Sequence, residues 1–256
     1  MVFSVTHLNA LRAAEIEKIV THLRPAGCRI LEIGAGTGRQ AQELAQRGYD
    51  VEAIEIPDSN YAGERLFKIT DYDGRTIPFP DASFDLIFSS NVLEHVPDLV
   101  RMHSEIRRVL KPDGYAVHIM PTHAWRFWTT LTQIPTGFQN AATLGGQLVP
   151  PLLPYPSRVK GFVRAWLQAA RHIAAGFWQH RHGERGNTIS ETWLFHPRWW
   201  RRNFAENQFD IVRDEPMGLF YTGNMLLGSR WTLEQRARAA SVLGSACHIF
   251  EVKAKR

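Results

Sequence analysis

The residues of this chain whose type and spacing best indicate ligand binding are the three glycines of the segment 32–38, which reads E-I-G-A-G-T-G. A short apolar run at 29–33 leads into this segment, and a helix-like segment at 39–48 follows it. In a turn from a strand into a helix, alternating glycines let the backbone approach a ligand, and the first N–H groups of the helix point at it. The dinucleotide fingerprint G-x-G-x-x-G would need a glycine where Arg39 stands. The sequence therefore predicts a ligand-binding turn of a different kind.

Two glutamates occupy the ends of the predicted strands that flank this turn. Glu32 interrupts the apolar run 29–33, and a carboxylate buried in a strand is costly unless it has a partner. This favours a binding role for Glu32 over a solvated one. Glu55 comes near the end of the second apolar run, Val51 to Ile56, where it can accept hydrogen bonds from two hydroxyl groups. A lone glutamate at a strand end is usually solvated, so only its register with the glycine turn favours binding.

Residues 29–120 contain four ordered motifs. They are E-x-G-x-G-x-G at 32–38, D-G-R-T-I-P-F-P-D-A-S-F-D at 73–85, S-S-N-V-L-E-H-V-P-D at 89–98 and L-K-P-D-G at 110–114. This series resembles the class I S-adenosylmethionine (SAM) methyltransferases of the small-molecule type, and the nearest likeness is to the quinone-biosynthesis-like group. Any one of them is weak alone, but their order and spacing together are specific.

The resemblance implies that SAM is the cofactor and assigns its parts to particular residues. The glycine turn holds the methionine part, and Glu32 accepts a hydrogen bond from the amino group directly or through water. Glu55 accepts both ribose hydroxyls, Asp73 accepts the adenine amino group, and the Gly74 N–H reaches a ring nitrogen. Asp71, two residues earlier, is the alternative to Asp73. The complete set of predicted cofactor contacts is Glu32, Gly34, Ala35, Gly36, Thr37, Gly38, Glu55, Ile56, Asp73, Gly74, Ser90, Asn91 and His95.

Several other kinds of methyltransferase are disfavoured. The segment after the fourth strand lacks the [D/N]-P-P-[Y/F/W] tetrapeptide of amino-directed nucleic-acid enzymes. Cys28 and Cys247, the only cysteines, are not placed as nucleophiles for pyrimidine C5 chemistry, and no paired acidic cluster suggests a magnesium site. With two cysteines and no signal-peptide pattern in residues 1–9, we expect a reducing cytoplasm.

A hydroxyl acceptor must lose its proton, and histidine is the usual base. We predict that His182 or His123 has this catalytic role. His123 follows the fifth strand and would face the mouth of the pocket, and His182 belongs to a polar cluster at 180–187. His95 is near the donor by motif match, but it is equally suited to cap the following turn.

The cluster at 180–187 has two further interpretations. In an extended conformation it would put His180, His182 and Glu184 on one face, a set that can ligate a metal. Methyl transfer needs no metal and a third histidine is missing, so we predict none. A solvated loop is as good an interpretation as a catalytic one.

Strands that alternate with helices predict an α/β fold with a parallel sheet covered on both faces. The resemblance implies a Rossmann-like, doubly wound and mostly parallel sheet of seven strands, the last of them antiparallel. Helices are predicted at 8–23, 37–47, 98–110, 158–182, 197–207 and 233–243. Strands are predicted at 29–33, 51–56, 66–70, 83–89, 115–120, 209–212 and 247–252.

The charge of the chain changes sign near Pro121. Residues 1–120 contain 13 Lys+Arg and 17 Asp+Glu, a net charge of −4, whereas the remainder has a net charge of +9 and all eight tryptophans. We predict a single domain with three parts: a SAM-binding core at 1–120, an inserted helical lid for the acceptor at 121–196, and the C-terminal part of the core sheet at 197–256.

The lid contains a basic amphipathic helix, 158–182, next to the uncharged and proline-broken stretch 127–157. Such a helix can lie on an anionic membrane surface, or it can hold an acidic or lipid-linked acceptor with Arg164, Arg171 and Arg181. The alternative is that its apolar side closes the pocket and the arginines stay solvated.

The function predicted from the sequence is SAM-dependent methylation of a small-molecule, glycan or lipid-linked acceptor at oxygen. One alternative is RNA methylation, because basic residues with interleaved aromatic residues can bind nucleic acid. Nucleic acid is disfavoured as a partner, since these residues are spread along a helix with apolar neighbours. The other alternative is a non-catalytic SAM-binding or membrane-surface protein. We expect a cytoplasmic location, with contact to the inner face of the membrane as an option.

Overall fold

The structure, a computed structural model, describes residues 5–24, 27–59, 63–133, 181–223 and 230–255, with isolated residues between 135 and 171. Its first half contains α1 (Val5–Val20), β1 (Arg29–Ile33), α2 (Arg39–Gln46), β2 (Asp50–Glu55), β3 (Thr70–Asp71), β4 (Phe84–Ser90), a 3-10 turn (Leu93–His95), α3 (Leu99–Val109) and β5 (Leu110–Pro121). A helical segment at 123–133 follows. The second half contains α4 (Ser190–Leu194), α5 (Pro197–Glu206), β6 (Phe209–Pro216), α6 (Leu233–Leu243) and β7 (Cys247–Ala254).

The strands form one seven-stranded sheet in the order β3-β2-β1-β4-β5-β7-β6. Strand β1 is parallel to both β2 and β4, β5 is parallel to β4, and β7 lies antiparallel between β5 and β6. The predicted Rossmann-like, doubly wound and mostly parallel sheet of seven strands, with an antiparallel last strand, is confirmed, and the sheet is open. The strand order reverses between β1 and β4, and ligands of such sheets bind in the crevice that this reversal opens at the carboxyl ends.

Helices cover both faces of the sheet, as the buried side chains show. Ile16 of α1 and Leu44 of α2 belong to one buried cluster. Ile106 of α3, together with Trp200 and Phe204 of α5, belongs to the cluster on the other face. Full burial of a large apolar side chain contributes roughly 1.5–3 kcal/mol each. These two cores therefore hold the strand ends, and the loops that leave them, in fixed positions.

Two predicted boundaries near the crevice are wrong. The third strand is only Thr70–Asp71 rather than 66–70, because the Leu66 N–H donates to the Thr37 carbonyl of the glycine turn (2.7 Å) instead of to a neighbouring strand. Helix α2 begins at Arg39 rather than at 37, because Gly38 adopts a left-handed conformation (φ 77°) that a helix cannot contain.

Three further predicted boundaries differ from those in the structure, and they belong to β5, β6 and α1. Strand β5 already pairs at Leu110, and the predicted turn at 110–114 is accommodated by a register shift opposite Phe84. Strand β6 continues to Pro216 rather than 212, with a register shift after Ile211. Helix α1 is Val5–Val20 rather than 8–23.

Most of the predicted lid lies outside the described residues. This applies to the greater part of the uncharged stretch 127–157 and of the basic helix 158–182, including His180. Of that helix, residues 164, 167, 168, 170 and 171 are described, and they are helical with exposed side chains. Among the described residues, no helix combines the length and apolar character needed to cross a bilayer.

Candidate active site

The turn between β1 and α2 is built on glycines with positive φ. Gly34 has φ 69° and Gly36 has φ 57°, values that a residue with a side chain adopts only at a cost. The N–H groups of Gly34 and Ala35 donate to the Ile54 carbonyl of β2, at 2.9 and 3.1 Å. A Cβ on Gly34 would lie 2.5 Å from Cγ2 of Val92 in the segment after β4. The turn is thus packed between two strands, with its backbone open to the crevice.

The Glu55 carboxylate lies directly against this turn, as the predicted register requires. Its Oε2 accepts a hydrogen bond from the Gly36 N–H at 2.7 Å, and its Oε1 accepts from the N–H of Ile56 at 2.8 Å. Both Glu55 and Gly36 line the crevice. A carboxylate held in this way at the end of β2 is fixed beside the glycine backbone.

The loop after β3 settles which of the two aspartates faces the crevice. Asp73 lines it, and its Oδ1 accepts from the N–H groups of Arg75 (2.8 Å) and Thr76 (2.7 Å). These two backbone hydrogen bonds hold the pKa of Asp73 below its usual value. Asp71 instead forms an ion pair with Arg65 and does not line the crevice. The geometry agrees with the choice of Asp73.

The segment after β4 brings a polar network to the crevice. Asn91 has φ 55°, and its side-chain Oδ1 accepts from Cys247 Sγ at 3.5 Å. Cys247 in turn is 3.1 Å from the Tyr221 hydroxyl, which donates to Glu15 Oε1 at 2.6 Å. Arg12 pairs with the other oxygen of Glu15 at 2.7 Å. Arg12, Tyr221 and Cys247 line the crevice, although no motif in the sequence indicates a site role for any of them.

The two predicted bases have different surroundings. His182 lines the crevice, with its ring 4.8 Å from that of His95 and 4.7 Å from that of Trp125. Burial lowers the pKa of His182 to about 4, assisted by His95 and the Arg126 cation. The placement of His123 at the pocket mouth is wrong: its ring stacks on His196 at 4.3 Å, and it does not line the crevice.

His95 and His182 also form a cluster with Glu94. The potential ligand atoms of these three residues lie within 4.8 Å of one another, a set that can hold a divalent cation. It differs from the predicted set, which relied on His180 and Glu184. The absence of a metal therefore stays a prediction.

The arginine clamp predicted for an anionic acceptor finds no support among the described residues. The guanidinium of Arg181 bonds to the Glu184 carbonyl (3.1 Å) and carboxylate (3.2 Å) and does not line the crevice. Arg164 and Arg171 are exposed.

The crevice encloses about 1780 Å³, more than the roughly 300–1,000 Å³ of a typical small-molecule site. It therefore has room for two ligands side by side. The predicted cofactor contacts that line it are Gly34, Ala35, Gly36, Thr37, Glu55, Ile56, Asp73, Gly74, Ser90, Asn91 and His95. Glu32 and Gly38 do not line it. Gly38 instead closes the turn through its N–H to the Ala35 carbonyl, at 2.8 Å.

Comparison with known proteins agrees with this geometry. Residues 31–118 match the family model described as a methyltransferase domain. An uncharacterized methyltransferase of Mycobacterium sp. (strain JLS) is 36% identical over 116 residues, which are 42% of this chain and 44% of the relative. A ubiquinone biosynthesis O-methyltransferase of Xanthomonas axonopodis pv. citri (strain 306) is 29% identical over 178 residues, which are 64% of this chain and 70% of the relative.

A SAM-dependent methyltransferase structure from Methanosarcina mazei shares the fold, with a TM-score of 0.54 at 18% identity over 93% of this chain and 97% of that one. Residues 31–118 are a methyltransferase domain, and the chain has the fold of the class I SAM-dependent methyltransferases. SAM is the cofactor of this domain, and the glycine turn, Glu55 and Asp73 are the residues predicted to hold it. The chain spans less than half the length of the mycobacterial relatives that it matches.

Glu32 lies beneath the cofactor site of the methyltransferase domain rather than in its lining. It is 2% exposed, it accepts a hydrogen bond from the Ala41 N–H, and burial raises its pKa to about 8. Its predicted contact with the SAM amino group therefore fits only in the form that passes through water. The buried Glu94 behaves similarly, with a pKa raised to about 8 by burial.

These two glutamates make the protein less stable as the pH rises from 6.5 to 8. The folded protein keeps both protons up to about pH 8, whereas the unfolded chain releases them near 4.5. Each glutamate should therefore lower the free energy of unfolding by at most about 1.4 kcal/mol per pH unit. The histidines whose pKa is lowered add a slope of the opposite sign, which fades towards pH 8 as the unfolded chain loses its imidazolium protons.

Glu32→Gln should therefore remove up to about 1.4 kcal/mol per pH unit from this loss of stability, while the histidine contribution stays common to both proteins. The measurement is the difference between the free energies of unfolding of the variant and the parent, by urea unfolding at several values of pH between 6.5 and 8. Glu234→Gln, at a side chain that is 75% exposed, is the matched control and should leave the slope unchanged. A Glu32→Gln slope equal to that of the parent protein would show that Glu32 is ionised in the folded state.

The structure also sharpens the test of adenine recognition. Asp73→Asn keeps an oxygen for the N–H groups of Arg75 and Thr76 but replaces the other oxygen with a donor. It should weaken SAM binding by roughly 1–3 kcal/mol, since a charged hydrogen bond is lost, while the fold is retained. Asp71→Asn is the matched control and should change the affinity less. Calorimetric titration with SAM measures both affinities. A larger loss of affinity in Asp71→Asn than in Asp73→Asn would assign the adenine contact to Asp71.

Proposed function

We propose that this protein transfers the methyl group of SAM to an oxygen atom of a small-molecule acceptor. The observation that carries the proposal is the position of His182. It adjoins His95 in a crevice that the predicted SAM contacts also line. The name of the Xanthomonas relative, a ubiquinone biosynthesis O-methyltransferase, supports methylation at oxygen. The activity and acceptor of the whole protein are proposals, because the family model matches residues 31–118 and the chain spans less than half the length of the mycobacterial relatives.

SAM supplies a methyl carbon that its sulfonium already activates, so the protein has two tasks, alignment and proton removal. The acceptor lies in the part of the crevice beside Trp125, Tyr221 and His182, and its oxygen forms the new bond to carbon as the carbon–sulfur bond breaks. The hydroxyl proton then passes to a ring nitrogen of His182. Since the pKa of His182 is lowered to about 4, its imidazole is neutral at physiological pH and offers a nitrogen lone pair to this proton, although it is a weaker base than an ordinary histidine.

Aromatic side chains favour a compact acceptor over a long polymer. Trp125 lines the crevice with its ring 4.7 Å from that of His182, and Tyr221 lines it as well. Such side chains provide broad apolar contact with a polar edge. Five arginines and five acidic residues line the crevice, so its charges balance and it does not select strongly for an anion. A glycan or lipid-linked acceptor, and contact with a membrane, depend on the lid and remain hypotheses.

The domain organisation is also a proposal. The insertion 121–196 would begin just before the helical segment 123–133 and end just after α4. The helical segment lines the crevice through Trp125, and the loop before α4 lines it through His182. The core 1–120 and the return at 197–256 both contribute strands to the single sheet. This arrangement supports a lid that is inserted into one domain.

The proposed function is tested by incubating the protein with SAM labelled with ¹³C at the methyl group and with fractionated small molecules from cells. We expect a labelled product whose methyl carbon has the chemical shift of an ether or ester rather than of a methylamine. Gly36→Arg protein is the negative control. Label that appears only on nitrogen, on carbon or in RNA would overturn the proposal.

A further inference from the structure

We propose that Glu191 is the positioning residue that fixes His182 at the acceptor end of the crevice, and that Arg126 holds Glu191 in place. The proposal rests on the assignment of His182 as the base in the proposed function. It adds a residue outside the matched domain, in a part of the chain where no motif was recognised. Glu191 lies in α4 and does not itself line the crevice, so its action on the reaction passes through His182.

The Glu191 carboxylate forms two hydrogen bonds to the loop that contains His182. Its Oε1 accepts from the backbone N–H of His182 at 2.5 Å and from that of Gly183 at 2.7 Å. The Glu191 side chain is fully buried. A buried carboxylate with two short hydrogen bonds to adjacent N–H groups fixes the backbone from which the imidazole projects.

The remaining oxygen of Glu191 is paired with a cation from another part of the chain. Arg126 Nε lies 3.0 Å from Glu191 Oε2, and the Arg126 side chain is only 4% exposed. A buried charge is tolerated only when it is paired, and removing one partner of such a pair is strongly destabilising. Arg126 belongs to the segment 123–133 that follows β5, so the pair connects the two ends of the proposed insertion beside the crevice.

The same loop is attached on its other side to the 3-10 turn that contains His95. The Glu184 N–H donates to the Glu94 carbonyl at 2.9 Å. Arg185 donates to the carbonyls of Val96 (2.6 Å) and Leu93 (3.0 Å). Glu191 thus binds one side of the loop, while Glu184 and Arg185 attach its other side to the 3-10 turn. The ring centroids of His95 and His182 are held 4.8 Å apart.

A glycine is required at the point where the loop crosses this turn. A Cβ on Gly183 would lie 2.8 Å from the Glu94 carbonyl oxygen and so could not be accommodated without a shift. The close approach places the Gly183 N–H next to the N–H of His182, and both reach the same carboxylate oxygen. The backbone path therefore depends on this contact and on Glu191 together.

The test compares two variants that separate the two interactions of Glu191, its hydrogen bonds to the loop and its ion pair with Arg126. Glu191→Gln keeps an oxygen for the N–H groups of His182 and Gly183 but loses the charge that pairs with Arg126. Glu191→Ala loses both. Glu234→Gln, at an exposed ion pair on α6, is the matched control. The first readouts are amide hydrogen exchange at His182 and Gly183 and the nuclear Overhauser effect between the rings of His182 and Trp125. Neither requires an acceptor, so they succeed or fail independently of the proposed methyl transfer.

In Glu191→Ala we expect amide exchange at His182 and Gly183 to accelerate at least about tenfold, and the Overhauser effect to Trp125 to be lost. Glu191→Gln, which is also informative if the alanine variant fails to fold, should show smaller changes in the same direction. With an acceptor in hand, kcat should fall by about 10²-fold in Glu191→Ala, because a small displacement of a catalytic group has that effect. SAM affinity should stay within about threefold.

Unchanged exchange and an unchanged Overhauser effect in both folded variants would overturn the proposal. A loss of SAM affinity as large as the loss of kcat would also overturn the proposal, because it would indicate a general structural role of Glu191. If the NMR changes occur but His182→Ala is fully active, the positioning is supported and the assignment of the base is wrong.

Discussion

Replacing Gly36 by arginine is expected to abolish SAM binding while the protein remains folded. Gly36 has φ 57°, lines the crevice, and donates its N–H to Glu55. An arginine side chain at this position would enter the space that the methionine part of SAM needs. The left-handed conformation adds a strain of roughly 1–2 kcal/mol, which a folded domain of this size withstands. Calorimetric titration should show a loss of affinity of at least about 100-fold, equivalent to about 2.8 kcal/mol.

Gly27→Arg is the matched control for this experiment. Gly27 also has a positive φ, of 102°, and a Cβ there would meet no atom within 4 Å. It lies in the turn before β1 and does not line the crevice. Gly27→Arg should therefore show the strain of an arginine at positive φ without the loss of SAM binding. Normal SAM affinity in a folded Gly36→Arg protein would show that the methionine part of SAM binds elsewhere.

The cofactor side of the site could be predicted from the sequence because each of its residues is fixed by local backbone geometry. The glycine turn follows directly from β1, Glu55 ends the neighbouring β2, and Asp73 makes its own turn with the backbone of Arg75 and Thr76. Each of these residues lies in a short segment at or just after the carboxyl end of its own strand. The sheet was predictable for the same reason, since its apolar runs and breaks are local.

The acceptor side was less predictable because tertiary packing assembles it. Arg12 of α1 and Tyr221 after β6 meet at Glu15, far apart in the sequence and without a motif. Nothing in the local sequence distinguishes His123 from His182. The structure separates them because His123 stacks on His196, whereas Glu191 directs the backbone of His182 to the crevice. The third strand was misplaced for a similar reason, since Leu66 bonds to the glycine turn rather than to β2.

Replacing His182 by alanine is expected to lower kcat by roughly 10²–10⁴ and to leave SAM affinity intact. General-base catalysis contributes this much when a positioned side chain takes the proton in the transition state. His182 is the better candidate of the two predicted bases because it lines the crevice and is neutral at physiological pH. His182→Gln, which keeps much of the bulk but has no basic nitrogen, should show a loss similar to that of His182→Ala. Single-turnover rates measured with both SAM and the acceptor at saturation separate this effect from the binding of either ligand.

His123→Ala is the control, because the two histidines were equal candidates on sequence alone. Its ring contacts His196 away from the crevice, so its removal should change turnover by less than about threefold. The opposite pattern, an active His182→Ala and an inactive His123→Ala, would place the acceptor on the far side of the helical segment 123–133. If both variants keep near-normal turnover, neither position supplies the base. His95, which lines the crevice 4.8 Å from His182, then becomes the next residue to replace.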